Sequence, residues 1–139
     1  MKAKRYFDTN LLIAHWKRCR KLPLSAYSRI DASTWARKLI ELHQTNVILT
    51  PVAIEFLCGT MNPHELELSR AYLEEFKILD DGKILESDWQ EAKRFAAWVT
   101  RDGKRRDLAD CLLKAIAQRL GHDPLTGDLD HQRRSNSSF

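Results

Sequence analysis

Apolar positions fall into two alternating kinds of stretch, short extended-looking runs and longer ones repeating every three or four residues. Arg5-Tyr6-Phe7 is of the first kind and ends at Asp8-Thr9-Asn10. Leu11-Leu-Ile-Ala-His-Trp16 follows, apolar enough to begin a buried helix with Thr9 or Asn10 as its cap. Trp35, Leu39, Ile40 and Leu42 share one side of a helix over 32–43, and Asn46-Val-Ile-Leu-Thr50 reads as a buried strand. Thr50-Pro51 marks the next helix start, with Thr50 as cap and Pro51 in the first turn, and Gly59 ends that helix. A helix over 66–75 leads into a third strand at 76–79, closed by Asp80-Asp-Gly82. Trp89, Ala92, Phe95, Ala96 and Val99 recur at helical spacing over 87–99. After a basic loop a strong helix spans 108–120 and stops at Gly121, and Pro124-Leu-Thr126 is the last extended piece. Residues 133–139 are polar and expected to form a flexible tail.

Strands separated by helices require right-handed crossovers and a parallel sheet covered on both faces. The expected fold is therefore α/β, a three-layer α/β/α sandwich around a parallel sheet of four to five strands, in one domain over 1–132. A chain of 139 residues can bury a core of this kind without covalent staples. Its apolar runs are too short for a membrane span. The basic start lacks the apolar stretch of a secretion signal, so a cytoplasmic protein is expected. Three cysteines without a CxxC pair and five histidines without HxxxH or HxH spacing argue against disulfides and zinc. Cys58 and Cys111 lie among apolar neighbours and are expected to be buried, as are Trp35 and Trp89.

The net charge of +4 comes with basic clusters at Lys17-Arg18, Arg20-Lys21, Lys104-Arg105-Arg106 and Arg133-Arg134. They suit a polyanionic partner, and equally suit solvated helix ends and loops.

The acids are more informative. In parallel α/β folds ligands sit outside the carboxyl ends of the strands. Asp8 directly follows the first strand, and Glu55 lies one turn into the helix after the second. Asp110 stands in the first turn of the last helix, and Asp128 follows the last extended piece. Each has a structural role open to it. Asp8 can cap a helix and Glu55 can sit on an exposed face. Asp107 can cap the helix holding Asp110, which has Lys114 four residues on, and Asp128 and Asp130 can belong to a turn. Brought together, ionised carboxylates repel by about a few kcal/mol per close pair, which a hard divalent cation relieves. Oxygen-only donors favour Mg²⁺ or Mn²⁺ over zinc.

Four segments together resemble the PIN domain, in particular the small bacterial type II toxin ribonucleases of the VapC kind. They are Tyr6-Phe-Asp8-Thr-Asn10-Leu-Leu-Ile13, Thr50-Pro-Val-Ala-Ile-Glu55-Phe-Leu-Cys-Gly59, Ala109-Asp110-Cys-Leu-Leu-Lys-Ala-Ile-Ala117 and Leu125-Thr126-Gly-Asp128-Leu-Asp130. The resemblance implies an acidic metal pocket, Mg²⁺- or Mn²⁺-dependent endoribonuclease activity, a cognate antitoxin and a homodimer. Carried over, the catalytic and metal-holding acids fall on Asp8, Glu55, Asp110 and Asp128. The supporting polar residues fall on Thr9, Asn10 and Thr126, with Asp107 and Asp130 as extra acids. Pro124 and Lys114 depart from the family pattern, which expects an apolar strand residue and a small or apolar helix residue there. Arg18, Lys21, Lys104, Arg105 and Arg106 are candidates for RNA phosphate contacts. Leu12, Trp16, Leu24 and Trp35 are candidates for the antitoxin contact. The alternative is a catalytically inactive PIN-like module that binds RNA or protein through the same cleft. An aspartyl-phosphate phosphatase would want an acid where Asn10 stands, and a flap nuclease would need more chain.

Overall fold

The computed structural model describes residues 4–98 and 106–125. Strand β1 (Arg5–Phe7) leads into α1 (Thr9–Cys19), a 3-10 turn at Leu24–Ala26, α2 (Arg29–His43) and β2 (Val47–Ile48). Next come α3 (Thr50–Cys58), α4 (Pro63–Leu73), β3 (Lys77–Ile78), α5 (Glu86–Ala96), α6 (Leu108–Leu120) and β4 (Asp123–Leu125). β1 pairs in parallel with β4, placing Tyr6 opposite Pro124 and Phe7 opposite Leu125. β2 pairs in parallel with β3, Val47 opposite Lys77. The two ladders lie side by side, and the Thr45 hydroxyl donates to the Arg5 carbonyl (2.9 Å), joining the approach to β2 to β1. The two parallel ladders, β1-β4 and β2-β3, thus stand side by side with β1 next to β2, in place of one continuous four- to five-stranded sheet, and helices connect their strands.

The capping chemistry moves several element boundaries. α2 begins at Arg29 rather than at 32 because Ser28 and Asp31 form a reciprocal capping box. α4 begins at Pro63 rather than at 66, with Asn62 Oδ1 accepting the Glu65 N–H at 2.9 Å. Thr9 and Asn10 are the first two helical residues of α1, and Asp8 takes the cap position. Thr50 likewise lies inside α3. Its N–H and hydroxyl both donate to Asp80 Oδ1, at 2.9 and 3.0 Å, so an acid 30 residues away terminates this helix. The second and third strands are trimmed to two residues each, and the last runs over Asp123–Leu125 rather than 124–126. α5 ends at Ala96; Val99 and the tail at 133–139 lie outside the described residues.

The core lies between the sheet and the helices, around the fully buried Phe7, Leu12, Ile48, Leu49, Leu68, Tyr72 and Ile116. Trp16 meets Trp35, Phe56 and Tyr72 edge-on, with ring centroids 5.5, 5.5 and 5.2 Å away. Leu12 is thus fully buried and Trp16 nearly so, 5% exposed at the edge of a small cavity, and Leu24 and Trp35 are half-buried against the core. Cys111 is buried as expected. Cys58, the last residue of α3, is exposed instead, because α3 turns Pro51, Val52, Ala53 and Phe56 inward.

Trp89 is also exposed, at 43%. The inward face of α5 carries Asp88 and Ala92, and Asp88 is buried. Burying a carboxylate is costly unless its charge is matched. Arg119 of α6 matches it with two hydrogen bonds, from Nε (2.8 Å) and Nη2 (2.9 Å), and the Leu85 N–H adds a third (2.8 Å). At the other end of this antiparallel pair, Arg106 donates to the Phe95 carbonyl, which also accepts the Trp98 N–H, and to the Trp98 carbonyl just beyond α5. Among the described residues no helix is long and apolar enough to cross a membrane.

Candidate active site

The Asp8 N–H donates to the Leu125 carbonyl (3.0 Å), which anchors the carboxyl end of β1 to β4. Asp8 occupies the N-cap position of α1, yet its side chain makes no capping bond across the first turn. The carboxylate is left to face a cleft of about 560 Å³ beside α6. Asp110, Leu113, Lys114, Ala117 and Gln118 line that cleft and form one face of α6, at the three- and four-residue spacing of a helix.

Asp110 owes its position to Asp107. Asp107 Oδ1 accepts the Asp110 N–H at 2.7 Å, so the acid-x-x-acid spacing is the α6 cap, with Asp110 in the first turn beyond it. Glu55 reaches the same end of the sheet from α3. The hydroxyl of the buried Thr9 donates to Glu55 Oε1 at 2.8 Å.

These acids share one electrostatic field. Asp8 binds its proton more tightly than an ordinary aspartate, mainly through burial and further through Asp110, while the Thr9 N–H opposes this. Glu55 is raised by burial and by Asp107, Asp110 and Asp8, against the Thr9 bond. Asp110 is raised by burial and Asp107, with Lys114 opposing. Tyr6 lies two residues before Asp8 and lines the same cleft. Burial, then Asp8, Asp110 and Asp123, hold its phenol well above the usual range.

Asp8 and Asp110 thus line one cleft, and Glu55, held by Thr9, feels the charge of both and of Asp107. Among the described residues no three His, Cys, Asp or Glu side chains form a group that could hold a metal ion. The donors are nevertheless all oxygens under mutual repulsion, the chemistry that suits a hard divalent cation. Asp128, Thr126, Asp130, Lys104 and Arg105 lie outside the described residues. Asn10 is exposed in the first turn of α1. Arg18 is in the last turn of that helix and Lys21 follows it. A rise of about 1.5 Å per residue carries Arg18 roughly 15 Å along α1 from the carboxylates. Arg106 is engaged with the end of α5.

Three lining residues escape a reading based on strand ends. Tyr6 could have been found from its alternation with Asp8. His122 and Asp123 enter the cleft at the other end of α6, where Gly121 reverses the chain with φ of 69°. Only the pairing of β4 with β1 places them there.

No curated protein matches the chain. A model of the PIN domain matches residues 5–136, from β1 through the segment that contains Asp128. PIN domains are in general nucleases of α/β fold. The match spans nearly the whole sequence, and the chain belongs to the PIN domain family.

Proposed function

We propose that this chain is a divalent-metal-dependent endoribonuclease and the toxin of a type II toxin–antitoxin pair in the cytoplasm. The observation that carries the catalytic part is the sharing of one cleft by Asp8 and Asp110, which come from opposite ends of the chain. Asp8, Glu55 and Asp110, with Asp128, would hold Mg²⁺ or Mn²⁺. When bound, the cation polarises a phosphoryl oxygen and supplies an activated water.

The rest is the work of side chains. Thr9 orients Glu55 through its hydroxyl. Asp107 fixes the first turn of α6 and so the direction of Asp110. Lys114, one turn further on in the same cleft, moderates the charge of Asp110 and can meet a substrate phosphate. Contacts of that kind position a strand without reading its sequence. The antitoxin and homodimer assignments rest on the resemblance of the four segments to VapC-type toxins.

Incubation with structured RNA, with Mg²⁺ or Mn²⁺ and then with chelator, tests the proposal. Cleavage should require the metal and disappear in Asp8→Asn and Asp110→Asn. Cleavage indifferent to chelator or to both substitutions would refute it, and RNA binding without any cleavage would make the chain the inactive module. A short neighbouring reading frame whose product binds this chain and silences it would support the toxin assignment.

A further inference from the structure

A second, smaller cavity of about 270 Å³ opens between α5 and the start of α6. Its floor is apolar, formed by Ala92 and Cys111. Trp89 and Leu108 stand at its sides, 43% and 70% exposed. Lys93 and Arg106 supply positive charge at its rim. Asp107 lines it too, and is the residue whose carboxylate holds Asp110 in place. Apolar walls, an indole within reach of solvent and flanking cations are the elements of a stacking platform for an unpaired base, with cations for its phosphates. The volume lies just below the lower end of drug-sized clefts, about 300 Å³, which suits one flat ring system.

We propose that this cavity is a nucleobase subsite, in which Trp89 stacks one unpaired base of the RNA and Lys93 and Arg106 take the adjoining phosphates. The proposal rests on the ribonuclease reading and extends it. Through Asp107, whose carboxylate accepts the Asp110 N–H, the subsite reaches the start of the helix that carries Asp110. Arg106 suits this role because its guanidinium is held by the Phe95 and Trp98 carbonyls, which fixes where its charge sits. Selection is then for single-stranded or looped RNA, since a paired base cannot leave its stack without cost.

Binding is measured in the full-length chain carrying Asp110→Asn, by anisotropy of a short labelled single-stranded oligoribonucleotide. Adding Trp89→Ala should weaken binding roughly 5- to 150-fold, the range for loss of one base–aromatic stack. Trp89→Phe should recover most of it, and binding to a duplex of the same sequence should hardly change. Unchanged single-strand affinity in Trp89→Ala overturns the subsite, and the nuclease reading survives it if Asp110→Asn still abolishes cleavage. A change in the sedimentation mass of the protein alone on Trp89→Ala also overturns it, by making this face a contact between copies of the chain. Binding is read without turnover, so failure of the nuclease reading appears separately, as an active chain that cuts no RNA.

Discussion

The Thr9 hydroxyl donates to Glu55 Oε1 at 2.8 Å, joining two residues 46 positions apart. This bond opposes the burial that raises the proton affinity of Glu55. Thr9→Val should therefore raise it further, moving the acidic limb of kcat/KM against pH to higher pH. Activity near neutrality should fall about tenfold, as expected for loss of one hydrogen bond to a charged group. Thr9→Ser, which keeps the donor, should restore the profile. An unmoved limb in Thr9→Val would show that Glu55 does not titrate in catalysis.

The acids weaken the fold they serve. Asp8 and Asp110 bind protons more tightly folded than unfolded, so their contribution to stability declines as pH rises through the unfolded and then the folded titration range. In chelator at pH 7, Asp8→Asn and Asp110→Asn should each raise stability by about 0.5–1 kcal/mol, a modest figure because the groups remain partly solvated. Cleavage should fall at least about 100-fold. Thermal unfolding at pH 7 and pH 4 checks the sign, since the advantage of the Asn variants should shrink at the lower pH.

The Asp88–Arg119 pair has the opposite character. Arg119 hydrogen bonds, above all, hold Asp88 below the usual aspartate range. Its contribution is present above the unfolded titration range and lost as pH falls through the folded one. Arg119→Met strands a buried carboxylate and should cost about 3 kcal/mol in urea unfolding. Asp88→Asn combined with Arg119→Met should cost less than the two single changes added together.

His15 supplies an acid limit to stability. Its Nδ1 lies 2.7 Å from the Tyr72 hydroxyl and its Nε2 3.4 Å from Cys19 Sγ. Burial, with Arg18 and His43 nearby, pushes its pKa down to about 4 from the usual 6.5. The unfolded chain takes up this proton first, so stability is full above about 6.5 and declines toward 4. The loss at the acid end is on the order of 2–3 kcal/mol. Denaturant titrations at pH 7 and 4.5 should show a smaller acid loss in His15→Asn than in the native chain.

Local chemistry was readable from sequence where a signal and its effect lie within a few residues. Asp107 capping α6, Gly121 ending it and Phe7 running into Asp8 are of this kind. Interactions joining distant segments were not. Asp80 looks like a turn residue until β3 brings it to the Thr50 N–H. Asp88 looks like a first-turn acid until α6 presents Arg119, and that pairing rotates α5 so that Trp89 faces outward. The candidate site divides in the same way. Asp8 follows from strand-end logic and Asp110 from its place in the first turn of the last helix, whereas the Thr9–Glu55 bond and the placement of Asp123 need the tertiary pairing.

The antiparallel α5–α6 pair is clamped at both ends, by Arg119 on Asp88 and by Arg106 on the last carbonyls of α5. Two clamps leave neither helix free to peel away from its neighbour, so they open together as one cooperative unit. In deuterium exchange their amides should therefore gain mass in step. Trp89 and Asp110, riding on the two halves of that unit, should then keep their separation while other parts of the molecule open.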